Sequence, residues 1–457
     1  MVRSEDLKAF LRSRWWHKVL SSIKGAYIVG GSLRDLLLGK EVRDIDIVFK
    51  PSYDMLIPQK FASDIFGKLI ILGKKDQTYR VTKPPFIFDF TPLKEAEIFE
   101  DLVQRDFTIN SLAWDIEEEK LIDPLGGLDD LLGRKIRANS NESLLKDRIR
   151  ILRAFRFRST LGFDIEEKTR LLIEGLSSDS PWKFIAKERM AEEWKKLIKS
   201  TYFSLSMKDM SGTGFLESLF PIFRKMRSLP QNAFHHLDVL NHTLKAIEAL
   251  EDILTAPPHW ADKGYIKGKE HLLRMATLFH DVGKVYCFKR FDGEINFKGH
   301  QFVGAKIVRS VSKALLFNDK ERKTLVKLVF NHMMPILFVK RQREGRPYER
   351  SLLSWLDKVM DDACGIFLIS LADLEATRGE KTSDEDRNTL SEIAKRAMLH
   401  LKDMKVKPIL NGREIMKITG ISPGPLVGNL KERLLHLQKM GKLKTKSEAI
   451  RALLGII

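Results

Sequence analysis

The spacing of apolar residues changes near residue 130, and this change constrains the fold more than any other feature of the chain. Before it, short β-rich runs alternate with turn residues, which predicts a small sheet with a few helices. After it, apolar residues recur with a helical period and β signals nearly vanish. The β-rich runs are residues 26–29, 45–49, 68–72, 79–81 and 86–90. The sequence therefore predicts an α+β fold in which a small mixed-sheet head is followed by all-helical domains.

Size and charge narrow the class of protein. The chain has 457 residues, too many for one ordinary core, so we expect several domains. Its formal net charge of +18 favours a polyanionic partner, of which nucleic acid is the usual one. Cys287 and Cys364 lie far apart without metal-ligand spacing, which suits a reducing cytoplasm. We expect neither a membrane helix nor a signal peptide, because long uncharged apolar runs are lacking and residues 1–20 resemble an amphipathic helix.

Two glycines and two aspartates form the first chemical pattern. Gly30 and Gly31 follow a predicted strand and begin a short helix that carries Arg34. Glycine lets the backbone approach a phosphate closely, and the N–H groups of a helix start can bind it. Asp44 and Asp46 lie two residues apart on the next predicted strand, so both carboxylates share one face. Such a pair can hold two divalent ions for phosphoryl transfer, and oxygen ligands favour Mg²⁺.

Asp89 lies on a later predicted strand and becomes a third carboxylate of this group if the two strands are neighbours. A lone glycine pair is usually a turn, and a lone Asp-x-Asp is usually a solvated strand end, but the two in this order are far more specific. Together they resemble the head of the nucleotidyltransferase superfamily that DNA polymerase β and CCA-adding enzymes share. The form GGSLRD…DIDI resembles its bacterial and eukaryotic branch, class II. This resemblance implies a polymerase β-like head that binds two Mg²⁺ ions and adds nucleotides to RNA.

The segment EDLVQRDFTINSLAWD extends the resemblance. Taken alone, Arg105 and Asp106 could form a local ion pair that caps a helix. The class II motif at this place reads Arg-Arg-Asp-Phe-Thr-Ile-Asn-Ala and contacts the sugar and phosphates of the incoming nucleotide. The resemblance gives this role to Arg105, Asp106 and Asn110, while Gln104 stands where the first arginine usually is. Further along, Gly126 and Gly127 resemble the hinge between head and neck.

A polar stripe follows in KDRIRILRAFRFRSTLGF, where Asp147, Arg150, Arg153 and Arg156 recur every three residues on a predicted helix. A carboxylate and a guanidinium one turn apart can read the donor and acceptor that cytosine and adenine both present, and would reject uracil and guanine. The alternative is a surface ion pair beside arginines that bind RNA. Class II enzymes carry Glu-Asp-x-x-Arg here as the base template, which implies that role for Asp147 and Arg150. Lys146 replaces the leading glutamate of the motif.

Histidine and aspartate residues form a further group between residues 235 and 375. The dipeptide His280-Asp281 follows an apolar helix and precedes Gly-Lys, a much more specific pattern than a lone helical histidine. With His242 and Asp373 it resembles the ligand set of the HD phosphohydrolase domain, which implies a second divalent metal. His300 and His332 match accessory positions of that family, and Gln301 stands where a glutamate often follows. The alternative is a structural domain with an idle metal site.

The last 50 residues resemble the C-terminal module of the same enzymes, which holds the tRNA elbow. Its lysines and arginines could grip phosphates, or form a solvated basic hairpin. The predicted domains are a head (1–130), a helical neck (131–220), an HD domain (221–400) and a tail (401–457).

The resemblance implies a cytoplasmic enzyme that adds C and/or A to tRNA 3′ ends from CTP and/or ATP without a nucleic-acid template. Its tRNA would be held at the acceptor end and the elbow. Three alternatives stay open: a poly(A) polymerase on general RNA, an HD-type phosphohydrolase whose head docks RNA, and a non-catalytic tRNA-binding protein. The sequence leaves the oligomeric state open.

Overall fold

The computed structural model describes residues 4–51, 56–73, 78–94, 97–178, 185–231, 237–292, 294–377, 384–404, 408–439 and 442–455. The chain separates into two compact units, one of residues 1–225 with 314–316 and one of residues 226–313 with 317–457. The four-domain division drawn from the sequence is finer than this and stays a prediction. No helix in the described ranges combines the length and apolar composition that crossing a bilayer requires.

A seven-stranded mixed sheet is the centre of the head. Its strand order is β3-β4-β5-β2-β1-β6-β7, in which β2 and β5 are parallel and the other pairs antiparallel. The strands are β1 (Ala26–Val29), β2 (Asp44–Phe49), β3 (Lys68–Leu72), β4 (Thr78–Lys83), β5 (Phe86–Pro92), β6 (Ala113–Asp115) and β7 (Lys120–Ile122). The predicted α+β class is confirmed.

Alternation along β5 explains how the sheet buries one face and leaves the other for chemistry. Phe88 and Phe90 are fully buried and meet the ring of Phe61 at centroid distances of 4.9 and 5.2 Å. Asp89 between them must therefore point to the opposite face. The head helices are α1 (Ser4–Arg12), α2 (Trp15–Leu20), α3 (Gly30–Leu37), α4 (Ile57–Asp64), α5 (Ile98–Gln104) and α6 (Gly127–Leu132).

The rest of the first unit is helical and is organised around α8 (Ile149–Leu161), which packs against α10 and α11. Gly162 ends α8 with a φ of +69°, a conformation that glycine adopts without strain. The other helices are α7 (Asn141–Lys146), α9 (Glu167–Ser177), α10 (Lys187–Ile198), α11 (Phe203–Gly212), α12 (Phe215–Leu219) and α13 (Ile222–Met226). A short parallel pair, β8 (Lys135–Ile136) and β9 (Asp164–Ile165), was not expected from the sequence.

The second unit is built around a helix that is apolar on nearly every side. This helix, α22 (Ala363–Ala376), is almost wholly buried and packs against α14 and α16, as a central helix must. Its neighbours are α14 (Val239–Thr255), α15 (Lys263–Ile266), α16 (Glu270–Phe279), α17 (Lys284–Cys287), α18 (His300–Ala314), α19 (Asp319–Asn331), α20 (Met334–Arg343), α21 (Glu349–Val359) and α23 (Asp384–Met404). A short antiparallel hairpin, β10 (Lys289–Phe291) and β11 (Glu294–Asn296), precedes α18.

The C-terminal helices have a core of their own. They are α24 (Gly412–Thr419), α25 (Pro425–Lys439) and α26 (Lys446–Leu454). Ile415, Leu430, Leu434 and Leu453 are among the buried residues that they share. Asn411 and Thr445 cap α24 and α26 with reciprocal side-chain and backbone hydrogen bonds, which fixes where each helix begins.

Candidate nucleotide cleft and histidine–aspartate centre

Three carboxylates lie on one face of the head sheet. Asp44 and Asp46 alternate with buried Ile45 and Ile47 along β2, so both face the open side. On the neighbouring strand β5, Asp89 stands directly opposite Asp46 in the register. Partial desolvation and the charge of Asp89 raise the pKa of Asp46, because each disfavours its ionised form. The sequence placed Asp89 in this group only if its strand lies next to the strand of Asp44. The sheet topology meets this condition, because β5 and β2 are neighbours.

Arg80 is a residue of this group that sequence reasoning missed. It stands opposite Asp89 on β4, and its Nε and Nη2 donate to the two Asp89 oxygens at 2.8 and 2.7 Å. Alternation in the run YRV predicts that Arg80 lies on the sheet face opposite to that of its neighbours Tyr79 and Val81. Its pairing with Asp89 depends on the register between two strands, which a single sequence does not give. Each Asp89 oxygen therefore has a charged donor beside the Asp46 carboxylate.

Gly30 joins the carboxylate face to the start of α3. Its φ of +68° favours glycine, and a Cβ added there would lie 3.2 Å from Nη1 of Arg105 and 3.7 Å from Oδ2 of Asp46. Arg105 is held by Asp101, whose Oδ2 accepts from its Nε and Nη2 at 3.0 and 2.7 Å. The missing side chain of Gly30 thus leaves room for the Arg105 guanidinium near Asp46.

Next to Gly30 lies a cavity of about 340 Å³ that is lined by five arginines. It contains nine of the ten residues that the sequence predicted for nucleotide binding, together with Phe157. The lining residues are Gly30, Gly31, Arg34, Arg105, Asp106, Asn110, Arg150, Arg153, Arg156 and Phe157. The structure therefore brings together segments that are more than 100 residues apart in the sequence.

A chain of hydrogen bonds fixes the wall of this cavity. Arg34 Nη1 donates to Asn110 Oδ1 at 2.8 Å, and Asn110 Nδ2 donates to Asp106 Oδ1 at 3.0 Å. Arg153 Nη2 lies 2.9 Å from the other Asp106 oxygen. Because Asp106 and Asn110 are buried, this network holds the arginines in place rather than leaving them to solvent.

Phe157 and Glu193 hold Arg156 in the cavity wall. The Arg156 guanidinium lies 3.9 Å from the centroid of the Phe157 ring and donates from Nε to Glu193 at 2.6 Å. Burial lowers the pKa of Arg156, and the charges of Arg153 and Arg34 act in the same direction. The cavity wall is therefore a strongly positive surface that a polyanion would relieve.

Asp147 is the predicted nucleotide-binding residue that does not line the cavity. The helix α8 begins at Ile149, so Asp147 lies before it in extended backbone, and the single helical stripe predicted from the sequence is wrong at this end. The Asp147 side chain accepts from Arg189 Nη2 at 2.6 Å. The guanidinium of Arg150 instead donates to backbone carbonyls of Gln104, Arg105 and Ser143, at 2.9 to 3.2 Å.

The second unit holds a compact histidine–aspartate centre. One ligand atom from each of His242, His280, Asp281 and Asp373 lies within 4.8 Å of the others. His242 Nε2 is 2.8 Å from Asp373 Oδ1, and His280 Nε2 is 3.2 Å from Asp281 Oδ2. His280 Nδ1 lies 2.7 Å from the carbonyl of Thr277, which orients the ring so that Nε2 faces the centre.

Asp281 also belongs to a second group, with His300 and His332. Its Oδ1 lies 3.4 Å from His300 Nε2 and 3.8 Å from His332 Nε2. Burial opposes a charged His280, but Asp281 and Asp373 outweigh it and raise the pKa of His280 to about 10. Burial and the neighbouring histidines lower the pKa of His332 to about 3.

The centre opens onto a cavity of about 730 Å³, whose lining includes Lys284, His300 and Asp373. Lys284 Nζ lies 2.6 Å from Asp281 Oδ2 and donates to Gln231 at 2.7 Å, so a cation stands at the mouth of the centre. Imidazole nitrogens mixed with carboxylate oxygens suit a divalent transition metal, whereas the all-carboxylate face of the head suits a hard cation. Both donor sets thus have the chemistry of metal-binding groups.

These two sites define the class of protein: a nucleotidyltransferase head joined to an HD domain. Three family models match the chain, "Poly A polymerase head domain" over residues 26–137, "Probable RNA and SrmB- binding site of polymerase A" over 162–226 and "HD domain" over 239–362.

Curated relatives narrow the class. An A-adding tRNA nucleotidyltransferase of Deinococcus radiodurans is 32% identical over 93% of this chain and 94% of its own length. A CC-adding tRNA nucleotidyltransferase of Thermus thermophilus is also 32% identical, over 93% and 92%. The Thermotoga maritima CCA-adding enzyme, solved in complex with tRNA, shares the fold with a TM-score of 0.63 at 20% identity, covering 98% of this chain and 94% of that one. The chain belongs to the tRNA nucleotidyltransferase family, which confirms the resemblance drawn from its sequence.

Proposed function

We propose that this protein adds C residues, A residues or both to tRNA 3′ ends from CTP and/or ATP, without a nucleic-acid template. The observation that carries the proposal is one cleft in which the carboxylates of β2 adjoin, at Gly30, a cavity lined by five arginines. Relatives of equal identity that add A and that add CC support the substrate class. Two free cysteines and a tRNA substrate support a cytoplasmic location.

In this proposal Asp44 and Asp46 hold two Mg²⁺ ions. Ions held there would make the RNA 3′-hydroxyl more acidic and would offset the negative charge of the triphosphate and of the leaving pyrophosphate. Two carboxylates on one strand face fit such hard cations. Asp89 completes the group as a third carboxylate beside Asp46.

The cavity residues would bind and orient the nucleotide. Gly30 and Gly31 let the backbone approach the phosphates, and Arg34, Arg153 and Arg156 supply positive charge. Arg105, Asp106 and Asn110 would orient the sugar, because they lie together at the cavity wall. Because the wall is already ordered, little further ordering of these side chains is needed when they orient the nucleotide for reaction.

Base selection would use Asp147 and Arg150. Both side chains have other partners in this structure, Arg189 for Asp147 and three backbone carbonyls for Arg150. To read a base edge they must exchange these hydrogen bonds for the amino group and ring nitrogen that cytosine and adenine present. Uracil and guanine would leave a carboxylate and a guanidinium unpaired, which is costly in a closed site.

The test is nucleotide incorporation with Mg²⁺ on tRNA transcripts that end at the discriminator base, at C and at CC. CTP and ATP are offered separately and together. Completion of all three to CCA assigns a full CCA-adding activity, while a stop after CC or use of only the CC-ended RNA assigns half of it. Long A-tracts on unrelated RNA would instead assign a poly(A) polymerase. Absence of incorporation by the wild type would reject the proposal, and Asp44→Asn serves as the inactive reference.

A second activity, metal-dependent phosphate-ester hydrolysis, is favoured by the buried centre that opens onto the cavity of about 730 Å³. We propose that His242, His280, Asp281 and Asp373 hold the metal there. The probes are 2′,3′-cyclic CMP and a 2′-nucleotide, each with Mn²⁺ or Ni²⁺. Asp281→Asn should abolish hydrolysis and keep incorporation, and Asp44→Asn should do the reverse. If only the hydrolytic activity exists, the head is an RNA-docking module.

A further inference from the structure

Arg80 binds the carboxylate face of the head sheet through two hydrogen bonds to Asp89. Its guanidinium holds both Asp89 oxygens at 2.8 and 2.7 Å, the fork-to-fork geometry of a bidentate pair. In the sheet, Asp89 lies between Arg80 on β4 and Asp46 on β2, with both in direct register. Since in-register neighbours share a face, the three side chains form a row across the sheet.

The charge of Arg80 acts on the whole group. The hydrogen bonds and charge of Asp89 raise the pKa of Arg80, and Asp44 and Asp46 add to the effect. Asp46 and Asp89 stand opposite each other on neighbouring strands, so their negative charges repel. Without the two hydrogen bonds from Arg80, nothing on that side would hold the Asp89 carboxylate beside Asp46 against their mutual repulsion.

We propose that Arg80 is a positioning residue for nucleotidyl transfer, which holds Asp89 beside Asp46 and leaves one lone pair of each Asp89 oxygen directed to the reacting site. The inference rests on the proposed function and deepens it. An arginine suits this task better than a lysine, because its planar fork fixes both carboxylate oxygens at once. Partners that orient the ligands of a metal site typically contribute roughly 10- to 100-fold to metal affinity or activity.

The alternative is that Arg80 and Asp89 form a cross-strand ion pair whose only role is to stabilise the sheet. Exposed pairs of that kind contribute little, and the Arg80 and Asp89 side chains are 38% and 23% exposed. The pair formed by Arg12 and Glu119 provides a matched control, because it is also a two-point contact within the head and neither residue lines the nucleotide cavity.

The test compares Arg80→Gln, Arg80→Lys, Asp89→Asn and the double variant Arg80→Gln/Asp89→Asn with wild type and Arg12→Gln. For each we measure kcat, KM for the nucleotide, the Mg²⁺ concentration for half-maximal rate, and the melting temperature. We expect Arg80→Gln to lower kcat, or raise the Mg²⁺ requirement, by roughly 10- to 100-fold with KM nearly unchanged. Arg80→Lys should recover part of the loss, and the double variant should be no worse than Asp89→Asn, since the two act as a unit.

A readout without turnover completes the design. Mn²⁺ binding is followed by electron paramagnetic resonance, and the component lost in Asp44→Asn identifies the head site. Arg80→Gln should weaken that component, and Arg12→Gln should not. A wild-type kcat and Mn²⁺ titration for Arg80→Gln, or multiplicative losses in the double variant, would overturn the inference. Failure of the wild type to incorporate nucleotides would reject the proposed function instead, so the two failures are distinct.

Discussion

Gly30 lies where the carboxylate face of the sheet and the arginine-lined cavity adjoin. Its positive φ and the Arg105 guanidinium 3.2 Å from the place of a Cβ both disfavour a side chain. Oδ2 of Asp46 lies 3.7 Å from the same Cβ position, on the side of the sheet carboxylates. A hydrogen in place of a methyl group at residue 30 therefore lets the Arg105 guanidinium, proposed to bind the nucleotide, lie near the Asp46 carboxylate, proposed to bind a metal.

Gly30→Ala should lose activity beyond any loss of stability. Backbone strain in the left-handed region costs about 1–2 kcal/mol, and displacement of Arg105 should lower kcat/KM by at least roughly 10-fold. The matched control is Gly39→Ala, because Gly39 has a φ of +74° and no atom within 4 Å of its added Cβ. Steady-state kinetics and thermal unfolding of both variants check this. Equal kinetics for the two would show that the Arg105 contact is irrelevant.

At the level of elements, the helix α8 shows how far sequence reasoning reaches. The Arg150, Arg153 and Arg156 stripe was predictable, because helical spacing is a local property. The start of the helix was not, since Asp147 keeps the three-residue spacing although α7 ends at Lys146 and α8 begins only at Ile149. Arg148 offers no capping side chain that would mark this break. The Arg80 contact was equally hidden, because register between β4 and β5 depends on the whole sheet.

The helix α1 is tied to the turn between β6 and β7 through Glu119. Hydrogen bonds from Arg12 and Lys8 lower the pKa of Glu119 to about 2, from an ordinary value of 4.5. The resulting stability is fully present above pH 4.5 and is lost as pH falls toward 2, because the unfolded carboxylate takes up its proton first. Thermal unfolding of wild type and Glu119→Gln from pH 7 to pH 3 should show a stability difference that shrinks below pH 4.5. A difference independent of pH would contradict this assignment.

The turn after His280-Asp281 is in backbone contact with α18. A Cβ on Gly283 would lie 2.0 Å from the carbonyl oxygen of His300, so any side chain must force the two elements apart. Gly283→Ala should lower the free energy of unfolding of the second unit by at least about 1–3 kcal/mol and weaken metal binding. Gly428→Ala, with nothing within 4 Å of its added Cβ, is the control and should not destabilise. Denaturant unfolding and Mn²⁺ titration measure both effects.

At the scale of the whole molecule, the two units each have a core and a ligand site of their own. The α+β class and the order of the motifs were predictable, because both follow from local periodicity and short patterns. The helical period is the same on both sides of the unit boundary at residues 225 and 226, so periodicity alone does not locate it, and the neck–HD boundary drawn at 220 and 221 stays a prediction.

Ligands should therefore stabilise the two units separately. We expect calorimetry to show two unfolding transitions, one raised by CTP with Mg²⁺ and the other by Mn²⁺ alone, as ligands that bind only the folded state must do. Asp44→Asn should remove the first shift and leave the second, and Asp281→Asn should do the opposite. A single transition that both ligands raise would show that the units unfold together.

The cavity with its five guanidinium groups also bears on the release of product in the proposed reaction. Positive charge packed into a space of about 340 Å³ attracts any small polyphosphate, including the pyrophosphate that each addition releases. In the proposed reaction this product would therefore compete with the next substrate, and the reverse reaction, pyrophosphorolysis, would shorten the RNA end. If pyrophosphate is not removed, net nucleotide addition would stop once enough of it has accumulated. An enzyme that hydrolyses pyrophosphate would remove the co-substrate of the reverse reaction, so the added nucleotides would not be lost by pyrophosphorolysis.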